Sequence, residues 1–229
     1  MQVSDVRTDP AVFIIDDHAL ISTTIEFTLK GRGINAVRAQ VLGKTQLQGQ
    51  AATLQPGLVL LDLDLGNGVD GRPLDAATLA GEFVVQGWTV LILTGSTDRG
   101  RIAAAIAAGA AGWLSKAAPF PDLIYAILDA LAGRPVMDAG ERERLLVEHR
   151  AAQAQRRSSD QVLSRLTSRE REVLAQLEAG KRATVIAEES FVSISTVRSQ
   201  IRSILSKLNV KSQLEAVALA RSLRKQRRV

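Results

Sequence analysis

Four short apolar runs in the first half of the chain are each followed directly by polar residues. The runs are 12–15, 58–61, 90–93 and 112–114, and the polar residues that follow them are Asp16-Asp17, Asp62, Thr94 and Ser115-Lys116. Apolar runs of this length predict strands that are buried on both faces, as in parallel sheets. The carboxyl ends of parallel strands meet at one edge of a sheet, where open α/β folds place their chemistry. The pattern therefore predicts both the sheet and a site at its edge.

Helical patterns separate these runs, and a weaker fifth strand is predicted near residues 34–41. This alternation predicts a doubly wound, parallel, five-stranded α/β domain. From residue 164 onward the apolar spacing is only helical, with a capping box at Thr167-Ser-Arg-Glu170 and Ser193 as an N-cap. We therefore expect an α/β domain over 1–132, a partly helical linker over 133–160 and a small all-α domain over 161–229.

The net charge of +5 conceals an asymmetry between the two predicted domains. Residues 161–229 carry 14 Lys/Arg and 6 Asp/Glu, whereas residues 1–160 carry 15 and 18. A strongly basic domain joined to an acidic one predicts that the second meets a polyanion and that the first regulates it.

The composition excludes several classes of protein. Cysteine is absent, so disulfides and thiolate metal sites are excluded, and two distant histidines do not predict a zinc site. No apolar run is long enough to span a bilayer, and the first ten residues lack the apolar core of a secretory signal. We therefore expect a cytoplasmic protein with no membrane partner.

The polar residues at the predicted sheet edge suit the formation of an aspartyl phosphate. Phosphoryl transfer to a carboxylate places negative charge on the phosphoryl oxygens, which Mg²⁺ and a lysine commonly neutralise. Asp16, Asp17 and Asp62 supply the hard oxygen ligands that Mg²⁺ prefers. Lys116 is placed to pair with the phosphate, and the Thr94 hydroxyl is placed to donate to a phosphoryl oxygen.

About the first 132 residues resemble the receiver domain of two-component response regulators. The resemblance is carried by Asp16-Asp-His18, Leu60-Leu-Asp-Leu63, Leu93-Thr-Gly95 and Gly112-Trp-Leu-Ser-Lys116. It implies that Asp62 accepts phosphate from a sensor histidine kinase and that Asp16 and Asp17 bind Mg²⁺ together with the backbone carbonyl of Asp64. It also implies that Thr94 and Trp113 form a switch pair.

One residue departs from the receiver pattern. The family usually has proline four residues after the phosphoacceptor, where this chain has Gly66 in the glycine-rich stretch 65–71. Glycine lacks the rigidity of proline, which predicts a flexible loop with unusual metal affinity or phosphate lifetime.

Residues 163–222 resemble the LuxR-type helix-turn-helix domain, so the whole chain resembles the NarL/FixJ class of response regulators. The resemblance is carried by Leu166-Thr-Ser-Arg-Glu-Arg-Glu-Val-Leu174, Ser195-Thr-Val-Arg198 and Ile204-Leu-Ser-Lys-Leu-Asn-Val210. A recognition helix buries one stripe and offers the opposite face to the major groove of double-stranded DNA. We expect groove contacts from Arg198, Ser199 and Arg202 and phosphate contacts from Lys207 and Lys211. Arg182 replaces a small capping residue, and Gln200 replaces a frequent histidine.

The leading hypothesis is a transcription regulator that is switched by phosphorylation of Asp62 and is not an enzyme. Thr94 then moves toward the phosphate, Trp113 repacks, and the face formed by 98–108, 112–115 and 121–132 alters dimerisation or releases the DNA-binding domain. Homodimers are expected to bind paired half-sites of a promoter.

Two alternatives remain at this point. The Gly66 loop leaves open a DNA-binding regulator that works without phosphorylation. The Asp62-Leu-Asp64 pattern is also similar to that of haloacid-dehalogenase-like phosphatases, but their acidic metal pair follows the lysine, whereas Asp16-Asp17 precedes it here.

Overall fold

Five parallel strands form a single sheet in the order β2-β1-β3-β4-β5. The computed structural model describes residues 9–41, 43–69 and 71–228, with only the backbone for 224–228. The strands are β1 (Val12–Ile15), β2 (Ala36–Arg38), β3 (Leu58–Leu61), β4 (Thr89–Thr94) and β5 (Gly112–Ser115). The helices between and after them are α1 (Ala19–Lys30), α2 (Lys44–Ala51), α3 (Ala76–Val85), α4 (Arg99–Ala107) and α5 (Phe120–Leu131). The predicted α/β fold class is confirmed.

The sheet is buried on both faces because a layer of helices covers each face. Successive apolar side chains of a strand point alternately to one layer and to the other. One layer is formed by α2, α3 and α4, which contribute Leu47, Phe83 and Ile106 to the core. The other is formed by α1 and α5, which contribute Ile25 and Ile127. All residues of β1 and β3 are at most 1% exposed, as expected for central strands.

The order of the strands determines where a site can form. β1 lies between β2 and β3, so the chain turns to opposite sides of the sheet after β1 and after β3. This reversal leaves a crevice beyond the carboxyl ends of β1 and β3, which is where ligands bind in open α/β sheets. Asp16-Asp17 and Asp62 directly follow these two strands.

Helix α6 (Ala139–Ser164) occupies much of the predicted linker. Its first turns pack on the α/β unit, since Leu145 is 1% exposed and lies in the core cluster of α2, α3 and α4. Arg99 pairs with Glu141 at 3.0 Å and with Glu148 at 3.1 Å. Two compact units divide between His149 and Arg150. The proposed boundaries at residues 132 and 161 remain predictions.

The second unit contains four helices after α6 around its own core. They are α7 (Ser168–Glu178), α8 (Ala183–Glu189), α9 (Ile194–Leu208) and α10 (Gln213–Arg228). Thr167 and Glu170 form the predicted capping box, and the Ser193 side chain caps α9 by accepting from the Thr196 backbone N–H. The N-cap residue of α8 is Arg182, and its side chain makes no capping hydrogen bond. Within the described part of the chain no helix is long and apolar enough to cross a membrane.

The described residues of the loop after β3 make backbone hydrogen bonds with one another. The Leu74 N–H donates to the Gly66 carbonyl at 3.0 Å, and the Gly68 N–H donates to the Arg72 carbonyl at 2.8 Å. Leu65, at 3% exposure, anchors the loop in the core. Backbone hydrogen bonds therefore join the two ends of the loop, and its predicted flexibility stays a prediction. Gly66 has φ +64°, which the ring of proline forbids, so the departure at this position reflects a different backbone conformation.

Candidate functional site

Three aspartates meet at the edge of the sheet, as the sequence predicted. Asp16, Asp17, Asp62 and His18 each offer a ligand atom, and these atoms all lie within 4.8 Å of one another. Asp16 and Asp62 are buried, at 6% and 1% exposure, whereas Asp17 and His18 are exposed. The acidic pocket therefore has two buried carboxylates, Asp16 and Asp62, and an exposed rim formed by Asp17 and His18.

Lys116 is the cation that faces the buried carboxylates. Its Nζ donates to Asp62 Oδ2 at 2.7 Å and to Asp16 Oδ1 at 2.9 Å. Lys116 directly follows β5. Its backbone N–H donates to the Thr94 carbonyl at 2.8 Å, which continues the hydrogen bonding between β4 and β5 and fixes the position of Lys116. One lysine beside three carboxylates leaves the pocket with a negative surplus, which favours a bound cation.

The pKa values in the pocket reflect burial and pairing together. Burial, partly offset by the hydrogen bonds from Lys116 and from the His18 N–H, raises the pKa of Asp16. Burial lowers the pKa of Lys116, but the bonds to Asp16 and Asp62 outweigh it, so the pKa of Lys116 is raised overall. The lysine thus stays charged at neutral pH.

The donor set fits a hard divalent cation. Asp16 Oδ2 is buried and ion-paired with Lys116 Nζ at 2.8 Å, but it accepts no hydrogen bond from the described residues, so a cation in the pocket would give this oxygen a further partner. Carboxylate oxygens within a few ångströms of one another match the small radius and oxygen preference of Mg²⁺. Asp64 comes two residues after Asp62, and its N–H donates to Asp62 Oδ1 at 3.1 Å, which brings the Asp64 backbone to the pocket.

Thr94 and Trp113 occupy neighbouring strands on the same face of the sheet. β4 and β5 pair Ile92 with Trp113 and Thr94 with Ser115, so Thr94 and Trp113 both point toward the layer of α2, α3 and α4. Thr94 is fully buried, and its hydroxyl accepts from the Ser96 N–H at 2.9 Å. Trp113 is partly buried against the core.

An arginine that the sequence did not single out links α4 to the loop after Asp62. The Arg101 guanidinium donates to the Asp64 carboxylate and to the Leu63 carbonyl. Arg99, on the same helix, pairs with two glutamates of α6. Helix α4 therefore contacts the loop that follows the acidic pocket through one arginine and α6 through another.

The second unit exposes most of the predicted DNA contacts. Arg198, Ser199 and Arg202 lie on the outward face of α9, and Lys211 is exposed in the following turn. The opposite face of α9 is buried through Val197, Ile201, Ile204 and Leu208. The helix thus has the two-faced form that a recognition helix needs.

Lys207 is engaged within the unit. Its Nζ donates to both carboxylate oxygens of Glu170, at 2.7 and 2.9 Å. Glu170 is 6% exposed and also accepts from the Ser203 hydroxyl at 2.6 Å and from the Thr167 N–H at 2.7 Å. Burial opposes ionisation of Glu170, but these donors outweigh it and lower its pKa to about 2. Lys207 therefore stabilises the contact between α7 and α9.

Comparison with known proteins identifies both units. The response regulator receiver domain matches residues 12–128, and the luxR family of bacterial regulatory proteins matches residues 164–220. The chain belongs to the response regulators. It combines a receiver domain with a LuxR-type DNA-binding domain, which makes it a two-component transcriptional regulator. The family predicted from the sequence is confirmed.

Similar proteins extend over nearly the whole chain. The transcriptional activator protein ExaE of Pseudomonas putida is 32% identical over 211 residues, which cover 91% of this chain and 94% of ExaE. A nitrate/nitrite response regulator homologue of Haemophilus influenzae is 34% identical over 209 residues, with 91% and 94% covered. A solved complex of the response regulator RcsB with DNA is 22% identical, covers 93% of this chain and 98% of RcsB, and has a TM-score of 0.48. The assignment rests on the family models and the sequence relatives.

The residues that directly follow strands were predicted from the sequence, whereas Arg101 was not. His18 Nδ1 lies 2.7 Å from Asp17 Oδ1 and 3.5 Å from Asp62 Oδ2, so it belongs to the rim of the pocket. Its position directly after the aspartate pair was a usable signal. Arg101 carried no comparable signal, because its contact spans 37 residues.

Proposed function

We propose that Asp62 is the phosphoacceptor and that a sensor histidine kinase supplies the phosphoryl group. The convergence of Lys116 with two buried carboxylates beside it carries this proposal. A carboxylate oxygen of Asp62 forms the new P–O bond while the P–N bond to the kinase histidine breaks. Lys116, already 2.7 Å from Asp62 Oδ2, then neutralises charge on the phosphoryl oxygens. The chain acts as a switch and does not turn over a substrate.

We propose that Mg²⁺ is held by Asp16, Asp17, Asp62 and the Asp64 backbone carbonyl. When bound, the ion supplies positive charge to the transferring phosphoryl group. The protein residues orient that group and, through Lys116, balance the charge that the buried aspartates carry. The convergence of the ligand atoms of Asp16, Asp17 and Asp62 within 4.8 Å supports this assignment.

Replacing Asp17 by asparagine is expected to weaken Mg²⁺ binding by at least about tenfold, because the pocket loses an anionic ligand. Asp17 has a side chain that is 42% exposed, so the fold should persist. Isothermal titration calorimetry with MgCl₂ measures the effect. Asp129→Asn, at the far end of α5, makes the same charge change as a control and should leave Mg²⁺ affinity unchanged. Equal affinities for Asp17→Asn and the wild type would remove Asp17 from the metal site.

The contacts of α4 suggest how the phosphorylated state is transmitted. We propose that the Thr94 hydroxyl leaves the Ser96 N–H for a phosphoryl oxygen and that Trp113 repacks in the space this opens. Arg101 connects the loop after Asp62 to α4, and Arg99 connects α4 to α6. A shift of this loop can therefore move α4, and through the ion pairs of Arg99 it can move α6. The same movement of α4 would change the surface that α4, β5 and α5 form together.

We propose that α9 enters the major groove of promoter DNA. Arg198, Ser199 and Arg202 are the groove contacts, since they share the exposed face of the helix. Lys211 is proposed as a phosphate contact. Lys207 was predicted for the same role, but its pairing with Glu170 favours a structural one. Phosphorylated homodimers would place two such helices in paired half-sites.

DNA binding before and after phosphorylation tests the proposal. A duplex is first selected from a random-sequence library by the wild-type chain, and its affinity is then measured by fluorescence anisotropy with and without acetyl phosphate and Mg²⁺. We expect tighter binding and a dimer by size-exclusion chromatography with the phosphodonor. Arg202→Ala should weaken binding about tenfold in both states. Equally tight binding in both states would favour the regulator that works without phosphorylation.

A further inference from the structure

Phe191 has a backbone conformation that the other described residues adopt only where they are glycine or asparagine. Five helices are followed by a glycine with positive φ, namely Gly33 after α1, Gly87 after α3, Gly109 after α4, Gly133 after α5 and Gly180 after α7. Asn209 takes the same conformation after α9, at φ 53°. Phe191, after α8, also has φ 53°.

A phenylalanine is costly at this position, because its Cβ crowds the following carbonyl in the left-handed region. The hydrogen bonds that require the conformation involve only the backbone. The Phe191 N–H donates to the Glu188 carbonyl at 3.2 Å, and the Val192 N–H donates to the Ala187 carbonyl at 3.0 Å. Glycine would form both bonds without the strain.

The ring of Phe191 does not recover this cost by packing, since the residue is 96% exposed. Exposed phenylalanine gains almost nothing from the hydrophobic effect within its own chain. Neither the backbone nor the core of the second unit therefore accounts for the residue, and an external contact is the remaining use of an exposed aromatic ring.

The position of Phe191 favours DNA as that contact. It lies in the turn between α8 and α9, two residues before the N-cap Ser193. Helix-turn-helix proteins direct the first residues of the recognition helix into the major groove. Ile194, at 42% exposure, continues the apolar surface, and Arg198 is exposed one turn further along α9. The surrounding sequence is basic, with 14 Lys/Arg against 6 Asp/Glu over 161–229.

We propose that Phe191 contacts DNA and packs its ring against the apolar surface of a nucleotide, either a thymine methyl group or the deoxyribose carbons. The proposal rests on the proposed role of α9 as the recognition helix. It assigns the turn before α9 a role in affinity that is independent of the arginines.

Two substitutions at position 191 separate the ring from the backbone. Phe191→Asn removes the ring and suits positive φ, whereas Phe191→Leu keeps an apolar side chain and the strain. We expect Phe191→Asn to weaken binding to the selected duplex about tenfold. It should also raise the thermal midpoint of the second unit by roughly 4–8 °C. Phe191→Leu should bind within about threefold of the wild type with no rise in the midpoint. Phe191→Gly should reproduce the affinity loss of Phe191→Asn.

The controls distinguish failure of this inference from failure of the proposed function. If Arg202→Ala weakens binding and both Phe191→Asn and Phe191→Gly bind like the wild type, the DNA contact of Phe191 is overturned. If none of the variants differs from the wild type, α9 is not the recognition helix. Replacing single thymines of the duplex by deoxyuridine identifies the atoms that the ring contacts. If one replacement weakens binding of the wild type but not of Phe191→Asn, the ring contacts the methyl group of that thymine.

Discussion

Replacing Asp62 by asparagine is expected to abolish the response to phosphodonor while leaving basal DNA affinity within about twofold of the wild type. Asparagine has nearly the volume of aspartate, and Lys116 keeps its bond to Asp16, so the buried pocket should remain packed. The variant lacks the carboxylate oxygen that forms the P–O bond. Fluorescence anisotropy with the selected duplex, with and without acetyl phosphate and Mg²⁺, measures the result.

Asp64→Asn is the matched control for that experiment. It makes the same chemical change two residues away, but the Asp64 side chain is exposed and bound to Arg101, while only its backbone is proposed to serve the metal. The variant should keep a phosphodonor response, reduced at most in part, because Arg101 still donates to the Leu63 carbonyl. A response that survives in Asp62→Asn and disappears in Asp64→Asn would contradict the assignment of the phosphoacceptor.

Replacing Glu170 by glutamine is expected to destabilise the second unit by about 2 kcal/mol, because the Lys207 ammonium loses its carboxylate partner and a neutral amide takes its place. The value lies below that of a fully buried pair, since the Lys207 side chain is 35% exposed and can be solvated. Urea denaturation of the full chain, followed by circular dichroism, measures the loss. Glu172→Gln breaks an exposed pair with Arg169 on the same helix and should cost under about 0.5 kcal/mol.

Ionisation of Glu170 is also expected to make the unfolding free energy of the second unit depend on pH. The pKa of Glu170 falls from 4.5 to about 2 on folding, so its ionised form stabilises the folded state above pH 4.5. That contribution is lost as the pH falls through the range from 4.5 to about 2. The difference in unfolding free energy between wild type and Glu170→Gln should therefore shrink across this range. A difference that stays constant with pH would show that the ion pair does not stabilise the unit.

Residues of the site that end strands were predictable, because a buried strand fixes the place where its following residue emerges. The apolar runs before Asp16 and Asp62 specified central strands, and the parallel order brought their carboxyl ends together. Lys116 followed from the same logic on β5. The capping residues Thr167 and Ser193 were also readable, since their function depends on neighbours within three residues.

Other features depend on contacts that no local pattern specifies. Arg101 contacts a residue 37 positions earlier in the chain. Leu145 of α6 is buried in the core cluster that α2, α3 and α4 share. The positive φ of Gly66 and the hydrogen bonds around it likewise depend on the folded backbone. The strain at Phe191 is of the same kind, because only the conformation distinguishes it from an ordinary exposed residue.

The most direct test of the central claim is intact-protein mass spectrometry after incubation with Mg²⁺ and acetyl phosphate or phosphoramidate. The wild type and Asp64→Asn should each gain one phosphoryl group, and Asp62→Asn should gain none. A phosphoryl adduct of equal yield on Asp62→Asn, or no adduct on the wild type from either donor or from a phosphorylated histidine kinase, would contradict the account.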